Sequence, residues 1–358
     1  MKILSVTSSL LSTNSGSGYS VTSFTNQLKN CGDEVCLIGP EEFEPLRGSS
    51  RAVKLRQSYG ATRLMKVTQE WRPDLIEFYG DEFGWLLKKI KASGFKIPCI
   101  AHSNGFELAE LESRPLYQIP TLKNKIASFG YKFFSDYFFG QIDYFVGLSQ
   151  SDTAAFSRLY PLTPARTIYP GIRGAQSCSV PHTERSTDIT VLGSWIPRKG
   201  SHLLSIILPL LVKQHPSISI KILGTGNLSD SLLSGNIIVY PLISDEEVAK
   251  ILSDTKVFLF PSYYEGFGLA LAEAMSAGCA CIATPTGFAA DLKDSNSLQI
   301  LSTYSAEELL HHIERLLPSS DLRQSLGDKA QESVKELSWA KAGSELSRLY
   351  ESIISDRR

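Results

Sequence analysis

The six cysteines form no Cys-x-x-Cys pair and show no metal-ligand spacing, which argues against a zinc ribbon or a redox dithiol. Free thiols in a reducing, cytoplasmic compartment are the expectation. Long apolar runs are also lacking: none approaches the roughly 20 residues that a membrane-crossing helix needs. The start, Met1-Lys2-Ile3-Leu4-Ser5-Val6, imitates a signal peptide, but polar residues interrupt it and no small-residue cleavage site follows. It reads as a first strand. An excess of one charge is missing too, since the net charge is -1, and this disfavours a dedicated nucleic-acid binder. With 42% hydrophobic and 20% charged residues among 358, the composition excludes disorder, collagen and coiled coil as global descriptions. The length accommodates two domains, each with its own core.

What is present is a regular alternation. Short apolar runs at 3–6, 35–38, 75–78, 97–101 and 144–148 read as buried strands separated by helical patterns. The alternation restarts at 188–193 and continues through 218–223, 237–240, 257–260, 280–283 and 298–301. Strand–helix alternation implies parallel sheets covered on both faces, so the fold class is α/β with two Rossmann-like, doubly wound domains. Residues 171–187, rich in Ser, Pro and Gly without periodicity, are the expected linker. The domains then run 1–170 and 188–337, and three helical patterns end the chain, the last at 339–354. The near-zero charge also divides. Residues 1–175 hold 20 Lys/Arg against 16 Asp/Glu, and residues 176–358 hold 16 against 21.

In open parallel sheets, ligands gather at the carboxyl ends of the strands. After the first strand, Ser12-Thr13-Asn14-Ser15-Gly16-Ser17-Gly18 leads into a helix. Its small residues allow backbone N–H groups to approach a phosphate, although an ordinary flexible loop has the same composition. A dinucleotide site fits less well: Val21 stands where a third glycine belongs, and no acidic residue ends the second strand. His102 follows the strand at 97–101 directly, where a structural histidine is the competing reading. In the second half, Gly193-Ser194-Trp195-Ile196-Pro197-Arg198-Lys199-Gly200 follows a strand and opens a helix. Two cations at a helix start oppose the macrodipole and suggest an anion between them. Gly224-Thr225-Gly226 follows the next strand and reads equally as a turn. The richest stretch is Phe260-Pro261-Ser262-Tyr263-Tyr264-Glu265-Gly266-Phe267-Gly268, continuing into a helix that carries Glu273. Free N–H groups at that helix start suit a diphosphate. Glu265 and Glu273 are placed to accept hydrogen bonds from sugar and ribose hydroxyls.

The Glu265-x7-Glu273 spacing within EGFGLALAEAMSAG resembles the signature of the family 4 retaining glycosyltransferases, enzymes of the GT-B fold. The likeness extends in order through SGSGYSVTSFTNQLKNCGDEVCLIGP, DYFVGLSQSDTAAF, DITVLGSWIPRKGSHLL and ISDEEVAKILSDTKVFLFPSYYEGFGLALAEAM. It implies two domains facing a central cleft, an acceptor domain first and a donor domain second, with residues 338–358 crossing back onto the first. It further implies that Glu265 contacts the transferred sugar, Glu273 the nucleotide ribose, and Lys199 with Arg198 the leaving diphosphate. Gly16 and Gly18 would line the phosphates or acceptor, and His102 would sit beside the sugar. Ser194, Gly224, Gly266, Phe267 and Gly268 complete the expected donor site. The family transfers a hexose-type sugar with retention, the leaving phosphate deprotonating the acceptor on the same face. No cofactor is expected: the nucleotide-sugar is a substrate, with UDP favoured over GDP. No Asp-x-Asp occurs in the sequence, so cations and helix dipoles, not a metal, are expected to hold the diphosphate.

Two departures stand out. The family usually has Gly-Arg where this chain has Gly193-Ser194, and often Gly-Gly-x-x-Glu where it has Gly287-Phe288-Ala289-Ala290-Asp291. They motivate an alternative, a silenced nucleotide-sugar-binding subunit of a glycosyltransferase complex. A nucleotide-sugar 2-epimerase sharing the fold is a further alternative. For the acceptor, a glycan, a lipid-linked molecule or another hydroxyl compound, two runs matter. Arg47, Arg51, Lys54, Arg56, Arg63 and Lys66 occur without an acid over 47–69, and nine of seventeen residues over 129–145 are aromatic. Either is ordinary as a solvated face or a core helix. Together they suggest peripheral contact of the first domain with the inner face of a membrane.

Overall fold

A computed structural model of the chain describes residues 1–11, 16–40, 62–173, 180–228, 232, 235–293 and 295–357. Ser12–Ser15 of the glycine-bearing segment and Arg47, Arg51, Lys54 and Arg56 of the basic run lie outside the described residues. The chain divides into two compact units. The first comprises Met1–Leu111, Pro120–Gly171 and Ser338–Arg358, and the second Glu112–Ile119 and Ile172–Leu337. The first domain expected over 1–170 is thus interrupted at Glu112–Ile119.

The first unit is built on a parallel sheet of order β2-β1-β3-β4-β5-β6. Its strands are β1 (Lys2–Thr7), β2 (Glu34–Ile38), β3 (Leu75–Tyr79), β4 (Cys99–His102), β5 (Tyr144–Gly147) and β6 (Ala165–Thr167). The apolar runs pair in register, with Ile3 opposite both Val35 and Leu75. Helices cover both faces, so the strands are apolar throughout instead of alternating. Beneath them pack Leu4, Val6, Phe78, Phe83, Phe138 and Phe145. Four of the nine aromatics in the run serve this core: Tyr131, Phe138, Phe139 and Phe145 are buried, and Phe145 stacks on Phe156 at 3.9 Å. The C-terminal helix Trp339–Ser355 belongs to the same unit. Trp339 Nε1 donates to the Tyr19 hydroxyl at 2.9 Å, and Ser347 Oγ donates to Asp33 at 2.7 Å.

The second unit has the order β12-β11-β10-β7-β8-β9. The strands are β7 (Thr187–Leu192), β8 (Ile220–Leu223), β9 (Ile237–Tyr240), β10 (Thr255–Phe260), β11 (Ala280–Ala283) and β12 (Gln299–Ile300). The first of them, β7, lies inside the sheet, with β8 and β9 to one side and β10 to β12 to the other. The winding reverses between β7 and β10, the position at which open parallel sheets gather ligands at the carboxyl ends of their strands. The core gathers Ile189, Leu204, Leu208, Ile220, Val257, Ile282 and Ile313. Cys31, Cys36, Cys99, Cys279 and Cys281 are free thiols. No described helix is long and apolar enough to cross a membrane.

Candidate active site

The reversal between β7 and β10 is where the charged residues of the second unit meet. After β7, the short helical turn Pro197–Lys199 ends at Gly200, whose φ of 79° is left-handed. A Cβ there would lie 2.3 Å from the Pro261 carbonyl oxygen. Glycine therefore both makes the turn and allows the two loops to touch. The Tyr263 N–H donates to the Arg198 carbonyl at 2.8 Å, and Arg198 Nη1 donates to the Tyr264 carbonyl at 2.9 Å. With the loops clamped, Lys199 Nζ donates to Glu265 Oε1 at 2.5 Å and Arg198 Nη1 lies 3.9 Å from Glu265 Oε2.

Glu265 is nearly buried, and burial alone would raise its pKa. Lys199 and Arg198, with hydrogen bonds from Lys199 and Ser262, outweigh that and hold the carboxyl below its ordinary value. Two cations face one carboxylate, so the cluster keeps a net positive charge for an anion. The Glu265 N–H donates to Thr286 Oγ1 at 2.8 Å. Gly287 sits beneath at φ 56°, where a Cβ would lie 2.4 Å from the Phe267 carbonyl oxygen.

Gly268 caps the helix Leu269–Ser276 at φ 98°, without a side-chain cap. Such a helix start leaves donors directed outward. Gly266 and Gly268 are buried in this turn. Phe267 is also buried, its ring 5.0 Å from that of Phe288, so toward a ligand it offers backbone alone. Ser194 is exposed. Gly224 is a packing residue, since a Cβ on it would lie 2.0 Å from the Gly193 carbonyl oxygen.

One turn into that helix, Glu273 borders a cavity of about 420 Å³ with Arg173, Leu192, Asp245, Val248, Leu252 and Ala277. Arg173 Nη1 pairs with Asp245 at 2.8 Å and Arg173 Nε lies 3.9 Å from Glu273. Burial lifts the Glu273 carboxyl to about 7; Arg173 opposes this and Asp245 adds to it. Sequence reading missed Arg173 and Asp245. The first lies in the presumed linker, and the second is one of three acids opening the helix Asp245–Ser253, where acids are common as helix-start residues.

The remaining expected residues lie in the first unit. His102 is the last residue of β4, not the first of the following loop, and is 2% exposed. Its ring stacks on Tyr79 at 4.5 Å and packs on Phe24 at 4.6 Å. Nδ1 lies 3.3 Å from the Ser103 carbonyl, and Nε2 has no hydrogen-bond partner. Burial lowers its pKa to about 4, only partly offset by Ser103, so the imidazole is neutral near pH 7. Gly16 and Gly18 fall inside the helix Gly16–Asn30, not in the loop before it; Gly16 is exposed and Gly18 buried. Around the ends of β3 and β4, Asp81 accepts from Tyr131 and Ser135, and Glu82 accepts from Ser8. The space bordered by His102, Asn104, Asp81 and Glu107 is about 30 Å³.

Residues 176–333 match the family model described as glycosyl transferases group 1. The match covers this segment, less than half of the chain. It contains Lys199, Arg198, Glu265 and Glu273, whereas His102, Gly16, Gly18 and Arg173 lie outside it. Phosphatidyl-myo-inositol mannosyltransferase of Mycolicibacterium smegmatis is 28% identical over 165 residues, 44% of this chain and 42% of that protein. The chain's matches span less than half the length of such curated relatives. Among solved structures, sucrose-phosphate synthase of Thermosynechococcus elongatus superposes with a TM-score of 0.79 at 18% identity, over 99% of this chain and 100% of that one. Anabaena HepE, solved in complex with UDP and glucose, gives a TM-score of 0.70 at 14% identity, over 98% and 100%. The fold shared with these chains is GT-B, two doubly wound parallel-sheet domains.

Proposed function

We propose that the chain is a retaining glycosyltransferase that moves a sugar from a nucleotide-sugar to an acceptor hydroxyl without a metal ion. The observation that carries this reading is the Arg198–Lys199–Glu265 cluster beside the uncapped helix start at Gly268, with Glu273 and its cavity one turn away. Cations and helix N–H groups stabilise charge that grows on a leaving diphosphate, and they do so most effectively where water is excluded. Lys199 moves from Glu265 to the phosphates when donor binds, and Glu265 is released to accept sugar hydroxyls. The large cavity takes the nucleoside, whose ribose hydroxyls donate to Glu273. His102, neutral and with an unpartnered Nε2, contributes a hydrogen bond or its backbone carbonyl to the sugar. The leaving phosphate oxygen deprotonates the acceptor on the same face. The relatives named above, one a phosphatidylinositol mannosyltransferase and one solved with UDP, support an acceptor from glycolipid or polysaccharide synthesis and a UDP-sugar as the first donor to try.

A panel of UDP-, GDP- and ADP-sugars in EDTA tests the reading, following nucleotide release with and without candidate acceptors. Release that requires acceptor, with product of unchanged anomeric configuration, is the expected outcome. Tight binding without turnover would instead assign the chain as a silent subunit.

A further inference from the structure

The helix Leu122–Phe139 has two unlike faces. Tyr131, Ser135 and Phe138 are buried in the first unit, whereas Leu122, Ile126, Phe129 and Phe133 are 75%, 66%, 78% and 63% exposed. Steps of four, three and four residues place these four side chains in one row along the helix. Single exposed apolar residues are ordinary, but a row of four large ones marks an interaction surface. Helical spacing sets the exposed Lys125 and Lys132 along one border of the row. The helix as a whole has three lysines and a single acid, Asp136, which pairs with Lys132 at 2.7 Å.

We propose that this row lies in the surface of an anionic bilayer, the helix running parallel to the membrane plane. The occupant follows from charge and shape. An interfacial helix buries a narrow apolar stripe at the level of the acyl chains while bordering lysines reach the lipid phosphates along their apolar stems. A stripe one residue wide, with Lys125 and the Asp136-paired Lys132 along one border, matches a medium that is apolar below and anionic above. No described helix is long and apolar enough to cross a membrane, and the proposed contact is peripheral. It depends on none of the donor chemistry.

The test is sedimentation of the full chain, without nucleotide, with large unilamellar vesicles of phosphatidylcholine alone or mixed with phosphatidylglycerol. Binding to the mixed vesicles at low salt, weakened by added salt, is expected. Replacing Phe129 and Phe133 together by Ser should lower partitioning by at least about tenfold, because two buried aromatic side chains are lost from the interface. Both residues are exposed, so circular dichroism and thermal midpoint should stay at wild-type values. Lys125→Glu should weaken binding to the mixed vesicles alone. The proposal is overturned by absence of binding to the mixed vesicles at low salt, or by equal binding of the double variant. It is also overturned if sedimentation velocity shows a dimer that the double variant abolishes, which would assign the row to a second copy. No turnover is measured, so failure leaves the glycosyl-transfer reading intact, and failure of donor binding leaves this one intact.

Discussion

The two units share a six-stranded parallel sheet, yet they treat charge at the carboxyl ends of their strands in opposite ways. In the second unit, Lys199, Arg198 and Glu265 pair beside an uncapped helix start, and Glu273 borders an open cavity of about 420 Å³. In the first, the space beside His102 is about 30 Å³, and hydroxyl groups already answer Asp81 and Glu82. Deeper still, Glu77 in the middle strand β3 accepts from Ser5, Tyr79 and Tyr350. One sheet therefore presents charge to a ligand and the other consumes it internally. The same scaffold supports an end where cations outnumber the carboxylate they face or one where hydroxyl groups answer the acids, with His102 Nε2 left unpartnered beside them.

The largest expected effect tests the presenting end. Lys199→Ala should lower turnover by about 10²–10³-fold, the usual cost of removing one stabilising donor from developing anionic charge. Steady-state kinetics on the donor found in the panel checks it, and a loss below threefold would remove Lys199 from the diphosphate. The consuming end is tested by pH. Burial lifts the Glu77 carboxyl to about 7, with the hydroxyls opposing and Asp33 assisting. The unfolded chain ionises this group near 4.5, so between that value and about 7 the folded state holds more protons. The Glu77 contribution to stability should fall across this window, by up to about 3 kcal/mol, and level off above it. Urea denaturation from pH 4.5 to 8 should show wild type losing stability relative to Glu77→Gln across the window. The difference between the two proteins isolates this group from the buried histidines, whose lowered pKa acts in the opposite sense.

Most of the fold was legible from periodicity, because buried parallel strands appear as short apolar runs. The exception, β6, spans three residues, Ala165–Thr167, and the chain leaves it no apolar signature. The presenting end was legible because Arg198, Lys199 and Glu265 lie on two glycine-bearing loops that follow strands, with Glu273 eight residues beyond Glu265 on the helix after the second. The consuming end was not. Glu77 and Tyr350 are 273 positions apart, and an acid inside an apolar strand was its only local sign. Arg173 was hidden for the same reason, since its partner Asp245 lies 72 positions away. The aromatic run was read as a unit, but helical geometry splits it into a core face and the exposed Phe129 and Phe133.

Smaller effects sharpen the contrast. Glu273→Ala should weaken nucleotide binding by about tenfold, the value of one hydrogen bond to a charged acceptor. In the wild type, affinity should rise with pH toward a plateau above about 7, because ribose hydroxyls require the ionised carboxylate and the free site is protonated below that value. Calorimetry on the variant should show this dependence removed. His102→Ala should lower turnover by a few fold to tenfold, within the range of single hydrogen-bond contributions, while nucleotide affinity stays unchanged. Wild-type turnover in that variant would return His102 to a packing role against Tyr79 and Phe24.

The contrast between the two units is tested most directly by calorimetric titration of UDP and GDP into wild type, Lys199→Ala and Glu77→Gln at pH 7.5 in EDTA. A nucleoside diphosphate should bind wild type and Glu77→Gln alike and bind Lys199→Ala at least about tenfold more weakly. Equal affinity of all three proteins, or no binding of either nucleotide to wild type, would contradict the assignment of the Arg198–Lys199–Glu265 cluster to the donor diphosphate.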